Sequence, residues 1–353
     1  MRKGKRLIAW IMAVVMLFTI CVFGGNRTAE AAATTPVAKH GRLSVKGADL
    51  VDSKGNKFQL RGISTHGINW DVGSPYVNKK AFKTLRDDWG VNAIRLAMYT
   101  EEYNGYCSGG SQAKLRKLVD KGVGYATDLG MYAIIDWHIL SDGNPNKNKS
   151  QAKKFFTTMA KKYKNNKNVI YEICNEPNGC SWKEIKSYAT DIIKTIRKYD
   201  KKAVIIVGTP TWSQLGTDGT SNEVADSPIK GYKNIMYSLH FYASEWAHNE
   251  YLPAKVAYAR KKKLPIIVSE FGLSPASGDG AINKASADKW MKLLNKYNIS
   301  YFCWSLSNKN ESASLLKPST KKTSGWKSGD LSTAGKYIKK KYLARKKALG
   351  KKA

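Results

Sequence analysis

Proline, cysteine and histidine are all scarce in this chain, and its acidic side chains are heavily outnumbered. Ten prolines in 353 residues build no Pro-rich linker, and no Ser-rich stretch takes its place. No repeat period stands out, which excludes solenoid and propeller arrays. Of five cysteines, Cys21 sits in an N-terminal apolar run. The other four, Cys107, Cys174, Cys180 and Cys303, permit at most two disulfides. Cys107 and Cys180 lie in Gly-containing loops and are open to pairing, whereas Cys174 and Cys303 lie in apolar runs, where cysteine acts as a small hydrophobe. The five histidines show no H-x-x-x-H or comparable ligand spacing, so no metal site and no cofactor are expected. Zinc-finger spacing and an aromatic RNA-binding strand are also missing, which argues against a specific nucleic-acid reader.

With 60 basic and 27 acidic side chains the formal net charge is +33. Such a chain is expected to stick weakly to polyanions, an anionic cell surface included. Part of the excess is local: residues Lys336–Ala353 hold nine Lys or Arg and no acid. At the other end, Arg2, Lys3, Lys5 and Arg6 precede the uncharged run Leu7–Phe23, and Ala29-Glu30-Ala31 offers an A-x-A cleavage site. This pattern reads as a secretory signal, with the mature chain extracellular. The expected organisation is a signal peptide at 1–31, a linker at 32–40, one catalytic domain at 41–341 and a basic tail at 342–353. A monomer is expected.

Apolar content of 42% supports a large core. Eight short β-rich runs punctuate the chain: Phe58–Ser64, Ala93–Tyr99, Tyr132–Trp137, Val169–Cys174, Ala203–Gly208, Ile235–His240, Pro265–Ser269 and Tyr301–Leu306. Helix-like sequence separates most of them, as at Lys79–Trp89, Lys114–Leu129, Gln151–Tyr163 and Trp182–Tyr199. Strand–helix alternation with apolar strands implies a parallel sheet covered on both faces. Eight repeats favour an α/β fold of the (β/α)8 TIM-barrel type. The open doubly wound alternative wants a Gly-rich turn after its first strand, and Thr65–Trp70 is not one. Ahead of that strand, residues 43–60 read as a β-hairpin turning at Ser53-Lys54-Gly55-Asn56 and closing the barrel's bottom.

Such a barrel carries its chemistry at the carboxyl ends of its strands. The polar and aromatic residues there are His66 and Trp70, then Arg95 and Tyr99. Next come Asp136 and His138, Asn175 and Glu176, Trp212, His240 and Tyr242, Glu270, and finally Trp304, Lys309 and Glu311. His40 and His248 fall elsewhere and receive no role. Glu176 and Glu270 follow strands on opposite sides of the mouth. A carboxyl pair of this kind suits glycoside hydrolysis, where one group donates a proton and the other is ionised. Arg95 is the natural partner for the ionised member. Trp70, Trp212 and Trp304 suit the apolar faces of sugar rings.

Eight segments in order then resemble the retaining endo-β-1,4-glucanases of glycoside hydrolase family five: LRGISTHGINW (60–70), AIRLAMY (93–99), IIDWH (134–138), YEICNEPNG (171–179), IVGTPTWSQ (206–214), YSLHFYA (237–243), PIIVSEFG (265–272) and YFCWSLSNKNESASLL (301–316). The resemblance implies Glu176 as acid/base and Glu270 as nucleophile, with Arg95 and Tyr242 holding Glu270. It implies Asn175 at the sugar 2-hydroxyl, His240 beside Glu176, and His138 in the same subsite. Trp304 would form the floor, followed by a cis peptide. His66, Trp70, Tyr99, Lys309 and Glu311 would meet glucan on the non-reducing side, and Trp212 on the leaving-group side. The implied substrate is a β-glucan polysaccharide such as cellulose. The rivals are a mannanase, xyloglucanase or mixed-linkage glucanase with the same chemistry, a zinc hydrolase on His66, His138 and His240, a non-catalytic binding module, and a basic nucleic-acid binder.

Overall fold

The computed structural model describes residues 35–350. The expected signal segment and the start of the linker lie outside them. Eight parallel strands close into a barrel in the order β10-β3-β4-β5-β6-β7-β8-β9. They are β3 (Arg61–Thr65), β4 (Ala93–Tyr99), β5 (Tyr132–His138), β6 (Val169–Glu172), β7 (Ile205–Val207), β8 (Ile235–Tyr242), β9 (Ile266–Gly272) and β10 (Tyr301–Leu306). Each expected strand run overlaps one of them, and four strands run one to three residues further than expected.

Helices follow the strands in turn: α1 (Lys79–Trp89), α2 (Gln112–Asp128), α3 (Lys149–Tyr163), α4 (Trp182–Arg197), the single turn α5 (Glu223–Asp226), α6 (Trp246–Lys261), α7 (Lys284–Tyr297) and α8 (Thr333–Gly350). Their ends are written locally. The Asn78 side chain caps α1 by accepting from Ala81 N at 2.7 Å, and Gly90 closes it in the left-handed region at φ 74°. Ser181 and Glu184 form a reciprocal capping box on α4.

Strand parity divides the interior in two. In β4, Ile94, Leu96 and Met98 pack outward against the helices, as do Ala133, Ile135 and Trp137 in β5. Inward at the bottom, Ala93, Tyr132, Ile134, Ile170, Val204, Ile206, Met236, Ile267 and Phe302 meet Leu43, Leu50, Phe58 and Leu60. Gly62 belongs to this packing: a Cβ there would lie 2.0 Å from the Phe302 ring.

An N-terminal hairpin does close the bottom, but its turn is not where the sequence placed it. β1 (Ser44–Lys46) and β2 (Asp49–Val51) pair antiparallel around Gly47-Ala48. Residues 53–56 form a second turn, closed by Asp52 N donating to Asn56 O at 2.8 Å, with only a Val51–Lys57 bridge beyond it. Gly47 takes φ 60°, so the shorter loop is accessible.

The proposed edges at 40/41 and 341/342 fall within packed structure. A short helix, Pro36–His40, precedes the hairpin. Val37 packs beside the bottom cluster. In α8, Tyr342 is fully buried and donates to Gly62 O at 2.8 Å, while Arg345 donates to Gln59 at 2.9 Å. Residues 342–350 therefore continue a helix clamped across the barrel bottom. The four cysteines among the described residues are free thiols.

Candidate active site

At the carboxyl ends of the strands lies a cleft of about 610 Å³. It brings together twelve of the fourteen expected site residues: His66, Trp70, Tyr99, His138, Glu176, Trp212, His240, Tyr242, Glu270, Trp304, Lys309 and Glu311. The other two, Arg95 and Asn175, are fully buried beneath it.

The approach to Glu176 follows from backbone geometry. β6 ends at Glu172, and Asn175 N donates to Trp137 O at 3.2 Å. The end of β7 runs so close that a Cβ on Gly208 would sit 2.2 Å from Cys174 O and 2.7 Å from Pro177 Cδ. Ser213 Oγ then donates to Asn175 O at 2.7 Å, and Trp212 N to Pro177 O at 3.0 Å. Pro177 has no N–H and a fixed φ, so the chain bends there and Glu176 is left aimed at the mouth.

Arg95 organises the floor. Nε donates to Glu172 at 2.7 Å, Nη1 to Glu270 at 3.1 Å, and Nη2 to Asn175 Oδ1 at 2.6 Å and Asp136 at 3.0 Å. Burial works against its charge, but the carboxylates of Asp136, Glu172 and Glu270 more than restore it. Tyr242 OH donates to the other Glu270 oxygen at 2.7 Å. Asn175 was expected at a sugar hydroxyl. Within the protein its amide is fixed at both ends: Oδ1 accepts from Arg95, and Nδ2 reaches Ile139 O at 3.0 Å and His138 Nε2 at 3.2 Å. His138 Nδ1 lies 2.6 Å from Asp136. Burial pushes Asp136 up to about 7 and His138 down to about 3.

Oxygens of Glu176 and Glu270 and a ring nitrogen of His240 all lie within 4.8 Å of one another. Burial raises both carboxyls. Glu176 is pushed up to about 8, with Asp136 and Glu172 adding to the effect and Arg95 opposing it. Glu270 is raised next by Glu176 itself, while His240 and Arg95 pull it down. Once Glu176 carries the pair's proton, its repulsion vanishes and Glu270 is the member that ionises. His240 is lowered to about 4 by burial, so it is neutral at the pH where the pair splits. Three groups of ligand type thus converge, but Arg95 lies against one of them and already supplies the positive charge.

An apolar patch of Ala97, Tyr99, Tyr242, Trp304 and Ala313 lines the same mouth. Trp304 stacks on His138 at 5.3 Å, and the Trp304–Ser305 peptide is cis. Trp70 packs on Tyr99 at 4.5 Å and donates Nε1 to Tyr103 O. His66 accepts from Gly67 N through Nδ1, which turns Nε2 toward Glu311, 3.7 Å away; Lys309 pairs with that carboxylate. Trp212 is 44% exposed on the opposite wall.

The Cellulase (glycosyl hydrolase family 5) profile matches residues 51–310. The chain belongs to the cellulase family, glycosyl hydrolase family 5. It is 47% identical over 341 residues to an endoglucanase of Clostridium saccharobutylicum, covering 95% of this chain and 72% of that protein. It is 44% identical over 325 residues to endoglucanase 5 of Pectobacterium carotovorum subsp. carotovorum, covering 92% of this chain and 62% of that one. Among solved structures, the catalytic domain of a variant Thermobifida fusca endoglucanase in complex with cellotetraose superposes with a TM-score of 0.81 at 37% identity, over 88% of this chain and 99% of that one.

In this glycoside hydrolase, several groups around the carboxyl pair escaped sequence reasoning. Glu172 looked like part of an apolar run, yet it carries the shortest carboxylate contact to Arg95. Its signal was parity: it follows inward-facing Ile170 by two residues. His248, given no role, lines the cleft and accepts from Tyr242 N at 2.9 Å. Glu102 and Glu245 line it too, from loops that no strand pattern marks. Ser238 and Ser269 are buried between His240 and Glu172.

Proposed function

We propose that this family member is a secreted endo-β-1,4-glucanase that cleaves internal bonds of cellulose and related β-glucans with retention. The observation that carries the mechanism is the close approach of Glu176 and Glu270. Retaining enzymes hold their two carboxyl groups about 5–5.5 Å apart, and inverting ones need roughly 6.5–9.5 Å for a water. Oxygens within 4.8 Å fit the first class.

Glu176 begins protonated and gives its proton to the glycosidic oxygen. As the C1–O bond breaks, a Glu270 oxygen attacks C1 and forms a glycosyl ester. Glu176, now ionised, takes a proton from water. The water oxygen bonds to C1 and Glu270 leaves as carboxylate. Arg95 and Tyr242 hold Glu270 ionised and oriented. Asn175 ties Arg95 to His138 and offers its oxygen toward the sugar 2-hydroxyl, with His138 and Trp304 beneath that ring. His66, Trp70, Tyr99, Lys309 and Glu311 bind glucan on the non-reducing side, and Trp212 on the other. The names of the relatives and the cellotetraose bound to the Thermobifida fusca protein support a β-1,4-glucan over mannan.

The deciding assay measures reducing ends released from carboxymethylcellulose and from galactomannan, for wild type and Glu270→Gln. Strong release from the cellulose derivative, abolished by the substitution, is expected. Activity confined to mannan would move the substrate and keep the chemistry. We also infer export with cleavage after Ala31, so that the secreted protein begins at Ala32. The same reading has the chain acting as a monomer and held weakly at anionic surfaces by the charge of +29 that remains of +33 once residues 1–31, with five basic and one acidic side chain, are removed. That retention should fall as salt is raised from low to physiological strength.

A further inference from the structure

Behind Glu176 a file of buried side chains runs back to the Arg95 cluster. Glu176 Oε1 lies 2.8 Å from His240 Nδ1, and His240 Nε2 lies 2.8 Å from Ser269 Oγ. Ser269 Oγ is 2.9 Å from Ser238 Oγ, which is 3.3 Å from Glu172 Oε1. Ser238, Ser269 and Glu172 are fully buried and His240 nearly so. Buried polar groups must satisfy one another, so the direction of each bond is constrained.

One end of the file fixes that direction. Glu172 is held by the Arg95 guanidinium at 2.7 Å, and an ionised carboxylate only accepts. Ser238 therefore donates to Glu172. A hydroxyl has one hydrogen, so Ser238 must accept from Ser269, and Ser269 must accept from His240 Nε2–H. A neutral imidazole carries one N–H, which leaves Nδ1 bare. The remaining partner of that lone pair is Glu176, and it can bond only as a protonated carboxyl.

We propose that Ser238 and Ser269 are positioning residues whose hydrogen-bond direction locks His240 in the Nε2–H tautomer and so keeps the proton on Glu176. The inference rests on Glu176 being the acid. Other charged and titratable groups face this pair: Glu270 and Tyr242 from the far wall, Arg95 from β4, Asp136 and His138 from β5, and Glu172 from β6. Arg95, Asp136, Glu172 and Glu270 act on Glu176 through charge, whereas Tyr242 and His138 are neutral there. The serine file acts instead by denying Glu176 a donor when it is ionised. After the first step the carboxylate faces a bare nitrogen, which drives it to take the proton of the incoming water.

The test begins with 15N NMR of the full chain labelled in histidine, with the His240 signals assigned by their loss in His240→Gln. A pyridine-like Nδ1 and a pyrrole-like Nε2 near pH 6 are expected. The reverse tautomer or an imidazolium would overturn the proposal, whatever the activity. Next, Ser269→Ala frees His240 to move its hydrogen to Nδ1 and donate to ionised Glu176. The upper limb of the kcat/KM–pH profile should then fall by roughly one pH unit, the worth of one hydrogen bond. Ser269→Thr, which keeps the hydroxyl, should leave the limb in place. A limb that stays put in folded Ser269→Ala refutes the file. Full activity in Glu176→Gln would instead sink the acid assignment, an outcome separate from the tautomer measured by NMR.

Discussion

At the lower end of the barrel, Tyr132, Ile134 and Ile170 point inward onto Phe58 and Leu60. Two or four residues further along the same strands, Asp136, His138 and Glu172 point inward around Arg95. The strands, the parity and the burial are shared, and only the side-chain chemistry differs. The lower end removes apolar surface from water, which stabilises the fold at about 25 cal/mol per Å². The upper end buries a cation among three carboxylates, an arrangement that a well-packed apolar cluster would match or better in stability. Its justification is chemical: it splits the proton affinities of two carboxyls in one cleft. Inside the barrel, apolar packing thus lies at one end and the ionisable cluster at the other.

That contrast can be broken by substitution. The largest expected effect is at the top. Glu176→Gln should lower kcat/KM on carboxymethylcellulose by roughly 10²- to 10⁴-fold. Its thermal midpoint should hold or rise, because a buried ionisable group has been replaced by a neutral one. A marked fall in the midpoint would mean that the catalytic end also holds the fold together.

Arg95→Leu removes the cation and leaves its carboxylates uncompensated, at a cost of about 3–5 kcal/mol in denaturant unfolding. The loss should shrink as pH falls and the carboxylates take up protons. An equal loss at pH 5 and pH 8 would show that packing, not charge, is what Arg95 contributes.

Phe302→Ala at the bottom should cost a similar 3–5 kcal/mol. Here the loss should be independent of pH, and the protein that remains folded should keep its kcat. A changed kcat would mean that the lower core tunes the mouth.

The smallest effect concerns pH. Glu176 is raised from the ordinary 4.5 to about 8 and Asp136 from 3.8 to about 7, both by burial. The folded state then holds protons that the unfolded chain releases, so stability falls as pH rises from about 4 to 8. His66 and His138, lowered to about 3, and His240, lowered to about 4, act on the other side. The unfolded chain protonates them below about 6.5, so stability also falls as pH drops from there. Urea midpoints at pH 4, 6 and 8 should peak in the middle, and Glu176→Gln should flatten the alkaline fall. A wild-type midpoint still rising at pH 8 would contradict the burial of Glu176.

Strand positions were legible in the sequence because a buried parallel strand must be apolar, and Gly and Asn mark its ends. The carboxyl pair was legible because an acid at a strand end breaks that pattern, Glu176 beside Pro177 and Glu270 before Phe271-Gly272. The hairpin turn was misplaced because Ser53-Lys54-Gly55-Asn56 and Gly47-Ala48 both satisfy local turn chemistry. Both turns form, but the β1–β2 ladder runs around Gly47-Ala48, and 53–56 closes only on the Val51–Lys57 bridge. Glu172 was missed because one acid inside an apolar run has no distinctive neighbours. Its meaning comes from Arg95, 77 residues away.

By itself, then, the sequence determined the count and order of the strands, the residues at their ends and the chemistry those residues can perform, since periodicity and local bends are properties of neighbours along the chain. The tertiary structure decided how the surroundings of the two carboxyls differ. That depends on which groups face one another across the barrel: Arg95 meets Glu270 over 175 residues of sequence, and Glu176 meets His240 over 64. Charge, burial and hydrogen-bond direction act through space at a few ångströms, and only barrel closure brings those groups within that range.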